Sequence, residues 1–267
     1  MYERNSPLEQ IVESIAASRR YRSVSADFVR SVAGAELGRH HSLKEAIKAT
    51  KNKLHQAAGA YMQAPIDYAA HLAELRAARD RESLAAACTR AMARHASSRE
   101  RLPILAEFYA ATLGSLPPVR SVLDVACGLN PLAIPWMPLA QGAEYYACDI
   151  YHDMMAFVGE FLRLVGMPGE ARVCNVIEHC PQQHVDVALL LKAIPCLEQV
   201  DPGAATRLLD GLNADHLLVS FPARSLCGKR KGMPETYEAH FMSLMAGRGW
   251  AVRRYSFASE LAFLVSR

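Results

Sequence analysis

No G-x-G-x-x-G follows any apolar segment of this chain, and no Walker A sequence occurs. Those glycines let a helix N-terminus approach a pyrophosphate, so a dinucleotide or nucleotide-phosphate cradle is excluded. Long hydrophobic runs are also missing: none approaches the roughly 18 apolar residues that span a bilayer. The N-terminus, Met1 to Asn5, has no signal-peptide pattern, so a cytoplasmic protein that does not engage a membrane is expected. The seven cysteines are scattered and form no CxxC pair. Reduced thiols are therefore expected, with neither a disulfide framework nor a bound metal. No internal repeat and no low-complexity segment is present.

Charge of one sign is scarce overall, with a net of +3, but its distribution is uneven. Residues 1–100 hold sixteen Lys and Arg against eleven Asp and Glu, whereas residues 101–267 hold fourteen against sixteen. A basic first part beside a near-neutral remainder fits contact with a polyanion, and it also fits a solvated helical surface.

Two regions differ in periodicity. Residues 1–115 read as helical, with Ser6-Pro7, Ser25 and Ser42 as N-terminal signals and a Ser-x-x-Glu capping box from Ser42 to Glu45. The third helix carries Lys44, Lys48, Lys51 and Lys53, and residues 69–93 are Ala-rich with a high helix propensity. From residue 116 to residue 267 short apolar segments alternate with helix-like ones, at 121–126, 143–149, 171–176, 185–191, 216–222, 250–257 and 261–266. This alternation predicts an α/β fold with a mostly parallel sheet, and the last two segments predict a terminal antiparallel hairpin.

The first strand candidate runs into Ala126-Cys127-Gly128-Leu129-Asn130-Pro131, a small-residue loop, and the second ends in Asp149. A carboxylate at such a strand end accepts hydrogen bonds from ribose hydroxyls. With a pyrophosphate excluded, S-adenosylmethionine is the nucleoside cofactor that tolerates this loop. Asp149 would hold its ribose and Asn175 would face its adenine, although both side chains also suit helix capping. Lys192 closes the fourth segment at the edge of the sheet where ligands bind.

Traces of the acceptor are weaker. No Asn-Pro-Pro-Tyr segment follows the fourth strand, as amino-group methylation commonly uses. Pro195-Cys196 has the form of the nucleophile in cytosine-C5 enzymes, and equally of a small cysteine after a turn proline. A second basic cluster, Arg224, Lys229, Arg230 and Lys231, follows the fifth strand on the ligand edge. It suits a phosphate-rich substrate or a solvated loop.

Four stretches resemble the aminoglycoside-resistance 16S rRNA (guanine(1405)-N(7))-methyltransferases. They are His95 to Arg101, Val122 to Pro131, Leu191 to Glu198, and Ser220 to Leu226 with Gly232-Met233. The segment Lys53 to Tyr61 resembles the N-terminal half of the same family. The resemblance implies a seven-stranded Rossmann-like methyltransferase sheet behind a helical N-terminal domain that docks on the 30S subunit. It implies that Arg101 pairs with the methionine carboxylate of the cofactor, a contact that guanidinium makes bidentately. It places Tyr61, His95, Ala96 and Ser97 beside the cofactor and Ala126, Gly128, Asp149, Asn175, Val176 and Leu191 around its pocket. Two departures are visible. Relatives often carry Asp where Asn175 stands, and Val200 stands near a position that tends to be polar, for which Gln199 is the expected substitute. The implied product is N7-methylated guanine, which blocks gentamicin- and kanamycin-type drugs. The four lysines of the third helix and the four cations after the fifth strand are the expected RNA contacts, and a monomer is expected. Methylation elsewhere in rRNA, including cytosine C5 through Cys196, and a non-catalytic ribosome-binding protein remain alternatives.

Overall fold

The computed structural model describes residues 6–59, 65–223 and 233–267. Helices come first: α1 (Pro7–Ala16), α2 (Ala26–Leu37), α3 (Leu43–Leu54), α4 (Tyr68–Ala77), α5 (Arg81–Met92), α6 (Ala96–Arg101) and α7 (Leu105–Thr112). Ser6, Ser25 and Ser42 cap α1, α2 and α3, each accepting a hydrogen bond from a backbone N–H of the first turn. The Ala-rich stretch is divided because Asp80 starts a new helix. Its carboxylate accepts from Ser83 N at 2.8 Å while Ser83 Oγ accepts from Asp80 N at 3.2 Å, a reciprocal cap that ends α4 and opens α5.

All seven strand segments read from the sequence form strands: β1 (Val119–Val125), β2 (Leu139–Asp149), β3 (Gly169–Val173), β4 (Val185–Leu191), β5 (Ala214–Pro222), β6 (Ala251–Ser256) and β7 (Glu260–Ser266). Their order is β3-β2-β1-β4-β5-β7-β6. β1 to β5 run parallel, while β7 pairs antiparallel with β5 and with β6. The sheet is accompanied by α8 (His152–Leu164), α9 (Ile194–Val200), α10 (Ala204–Gly211) and α11 (Met233–Met245). Two details depart from the periodicity. The β1–β2 connection is a 3-10 stretch, Asn130–Trp136, because Pro131 and Pro135 each lack an N–H and cannot sustain an α-helical ladder. β3 ends at Val173, so Asn175 lies just beyond the strand.

Neighbouring residues of each strand point to opposite layers. Val122, Leu189, Leu218 and Leu264 join a core that also holds Ile11, Ile15 and Val29 of the first helices. Leu123, Leu190, Leu217 and Phe263 join the other, with Phe241 of α11. The N-terminal segment is tied directly to the end of β2. Val24 bridges Tyr151, and Ser25 N donates to Ile150 O at 2.7 Å. No helix of the described residues is long and apolar enough to cross a membrane.

Candidate active site

The strand order reverses between β1 and β4, and open sheets bind ligands at the carboxyl ends of strands at such a point. A cavity lies there, open at its mouth. Two non-glycine residues at this edge adopt left-handed backbone: Ala126 after β1 (φ 51°) and Lys192 after β4 (φ 60°). Such conformations cost about 1–3 kcal/mol each and persist where the surroundings dictate them. Gly128 (φ 53°) is a glycine for a second reason, since a Cβ there would stand 2.6 Å from His95 Cε1.

Asp149, at the end of β2, knits the loop to the sheet. Its Oδ2 accepts from Gly128 N at 2.9 Å and its Oδ1 from Ile150 N at 2.7 Å. Burial pushes its carboxyl upward, and those backbone N–H groups oppose the shift. Remaining lone pairs can accept from a diol. His95 forms part of the wall, and burial, with the Arg101 and Lys192 charges, depresses its imidazole to about 4, so it is neutral at physiological pH.

Arg101 is the most buried cation among the described residues. It is 1% exposed, at the end of α6, and meets the fully buried Glu260 of β7. Its Nε lies 3.0 Å and its Nη2 2.7 Å from that carboxylate, while Nη1 donates to Asn130 Oδ1 at 2.9 Å. The guanidinium also stacks over Phe108, 5.1 Å from the ring centre. Five N–H donors minus these three leave one on each terminal nitrogen, enough for a bidentate carboxylate. Burial alone would raise the Glu260 carboxyl, but Arg101 and Lys192 hold it below the usual range. Ser220 Oγ donates to Glu260 as well. Lys192 lies between Glu100 (2.8 Å) and Glu260 (3.5 Å).

Behind Arg101 lies a buried network of Asn130, Tyr109, Asp124 and Tyr145. Asn130 Oδ1 also accepts from Tyr109 OH at 2.6 Å, and Asn130 Nδ2 donates to Asp124 Oδ2 at 2.9 Å. Tyr145 OH donates to the same oxygen at 2.7 Å, leaving Asp124 Oδ1 without a partner. Burial lifts the Asp124 carboxyl to about 7 against the pull of these hydrogen bonds and of Arg101.

Of the residues expected around the cofactor, His95, Ser97, Arg101, Ala126, Asp149, Asn175, Val176 and Leu191 line the cavity. Ala96 is buried beside it, and Gly128 contributes through its N–H to Asp149. Val200, not Gln199, reaches the wall, whereas the Gln199 carbonyl accepts from Lys53 Nζ at 2.7 Å. Lys53 thereby joins α3 to α9. Lys44 and Lys48 are exposed on α3 and Lys51 is half-buried. Tyr61, Arg224, Lys229, Arg230 and Lys231 lie outside the described residues. The sequence reading did not find Glu260 or the buried role of Asn130. The only signal for Glu260 was an acid opening an otherwise apolar strand, where burial requires a cation.

The order of the strands, the terminal antiparallel pair and a cavity at the reversal point lined by Arg101, Asp149 and Asn175 are those of an S-adenosylmethionine-dependent methyltransferase. The chain belongs to the family described as ribosomal RNA methyltransferase (FmrO), which matches residues 17–264. It is 41% identical to a 16S rRNA (guanine(1405)-N(7))-methyltransferase of Frankia casuarinae, covering 97% of this chain and 94% of that one. It is 37% identical to an enzyme of the same name from Micromonospora echinospora, covering 97% of both. Among solved structures it resembles 16S rRNA methyltransferase RmtF in complex with S-adenosyl-L-homocysteine. That match has a TM-score of 0.84 and 33% identity over 99% of this chain and 100% of that one. The 16S rRNA methylase RmtB is similar at a TM-score of 0.81 and 30% identity, covering 97% and 98%.

Proposed function

We propose that the protein transfers a methyl group from S-adenosylmethionine to N7 of guanine 1405 in 16S rRNA of the 30S subunit, in the cytoplasm. The observation that carries this reading is the buried Arg101–Glu260 pair, which leaves two guanidinium N–H groups unused on a residue that lines the cavity together with Asp149 and Asn175. The cofactor, when bound, supplies an electrophilic methyl on a sulfonium. Arg101 takes the amino-acid carboxylate, Asp149 accepts from the ribose hydroxyls, and Val176 and Leu191 pack against the base. His95 stays neutral, so it adds no third positive charge to Arg101 and Lys192 beside a cationic donor.

Guanine N7 is a lone-pair nucleophile with no proton to lose, so the site needs positioning more than a base. Its contribution is alignment and exclusion of water. The target guanine has to be exposed from its helix, at a cost of a few kcal/mol. Phosphate contacts offset that cost. Lys44, Lys48 and Lys51 lie at helical spacing on α3, and Arg224, Lys229, Arg230 and Lys231 follow β5 in the chain. We assign both sets to RNA contact and residues 1–115 to docking. The product base carries positive charge and added bulk, which repel a polycationic drug and block its fit.

Expression in a susceptible bacterium tests the reading. High resistance to gentamicin and kanamycin with none to apramycin is expected. After borohydride reduction and aniline cleavage, which break the chain at N7-methylguanine, primer extension on the extracted 16S rRNA should report scission at position 1405, and a modification at any other nucleotide would sink the assignment.

A further inference from the structure

The cavity wall holds a polar group that no described residue satisfies. Asn175 is 2% exposed and lines the cavity, and its Nδ2 has no hydrogen-bond partner. A buried amide donor left unpaired costs about 1–3 kcal/mol, so natural structures rarely keep one without a ligand to answer it. The other end of the same amide is committed. Asn175 Oδ1 accepts from Ile177 N at 3.3 Å, while the backbone carbonyl of Asn175 accepts from His179 N at 2.9 Å and Glu178 N at 3.2 Å. Rotating the amide by half a turn would set Nδ2 against the Ile177 N–H, donor facing donor. The loop therefore fixes which end is free, and that end donates.

A purine with an exocyclic amine offers that donor only its ring nitrogens, because the amine donates too. We infer that Asn175 recognises the cofactor base as a donor, giving an N–H to one of the two ring nitrogens beside the exocyclic amine of adenine, N1 or N7, and does not accept from the amine itself. A carboxylate at this position would do the reverse, holding the Ile177 N–H with one oxygen and accepting from the amine with the other. Asn175 thus sets the hydrogen-bond polarity of base recognition. The inference rests on the cofactor reading above and deepens it.

Calorimetric titration of the intact protein with S-adenosylhomocysteine and three base-altered analogues tests it without turnover. One analogue lacks the exocyclic amine; the other two replace ring N1 or ring N7 by CH. For the native protein, loss of the amine should leave affinity within about threefold, whereas one of the two deaza analogues should bind about tenfold or more weakly, the worth of one buried hydrogen bond. In Asn175→Asp the pattern should invert. The amine-free analogue should then lose about tenfold, and the deaza penalty should shrink. A tenfold loss for the amine-free analogue on the native protein, or no penalty from either deaza analogue, would overturn the inference while leaving the cofactor assignment standing. Absence of any S-adenosylhomocysteine binding would overturn both. The native-protein arms decide the matter even if the variant folds poorly.

Discussion

Replacing Glu260 by Gln removes the negative charge that holds Arg101 and faces Lys192. Glu260 is fully buried, accepts from two guanidinium nitrogens at 3.0 and 2.7 Å, and stands 3.5 Å from Lys192 Nζ. An amide retains the shape but turns one acceptor into a donor amid donors, and leaves the Arg101 cation buried without a counter-charge. Breaking a buried pair from one side costs about 3–5 kcal/mol, a large part of the roughly 5–15 kcal/mol that stabilises a folded domain. Urea denaturation followed by circular dichroism should show this loss. Cofactor affinity, measured by calorimetry, should fall as well, because the spare N–H groups of Arg101 are no longer aimed. The double variant R101M/E260L separates the two effects. Apolar replacement of both partners commonly restores stability, so the double variant should regain most of the lost free energy and still fail to bind S-adenosylhomocysteine. Stability of E260Q within about 1 kcal/mol of the native protein would refute the view that the pair is a mutually dependent buried unit.

Asp124 gives a pH signature. Its carboxyl titrates near 7 when folded and near 3.9 in an unfolded chain, so between those values the folded state holds the extra proton and stability falls as pH rises. Asp124→Asn keeps one oxygen for Asn130 and Tyr145. Its urea midpoint should change less between pH 5 and pH 7.5 than that of the native protein, and an equal slope would count against the assignment. Gly169→Ala should destabilise strongly or prevent folding, because φ is 120° and its Cβ would meet the Tyr145 carbonyl oxygen; a normal thermal midpoint would contradict this. Cys196→Ser should retain methylation of 30S subunits, since N7 chemistry needs no thiol nucleophile, and abolished activity with intact cofactor binding would favour the cytosine-C5 alternative.

What the chain revealed in advance followed the range of the interactions involved. The continuous apolar run of β4 and the final hairpin were legible because strand burial is written locally. The three serine caps were legible for the same reason. The split of the Ala-rich stretch was written too, in the spacing of Asp80 and Ser83, but composition masked it. The pocket lining was largely legible through Asp149 at a strand end and through the family resemblance, which brought Arg101 into view. Glu260 was not, because its meaning depends on an arginine 159 residues earlier in the chain. Asn130 read only as part of a small-residue loop, yet it is 2% exposed and links Arg101 to Asp124. Buried polar networks of this kind are set by tertiary contacts that no periodicity encodes.

The placement of Glu260 couples competence to the order of synthesis. Chains emerge from the N-terminus, so Arg101 and the β1 loop are made long before β7 arrives. Until that strand inserts beside β5, the guanidinium has no carboxylate partner and cannot settle in an apolar interior. A chain stalled before residue 260 therefore has most of the pocket lining but lacks the carboxylate that orients Arg101.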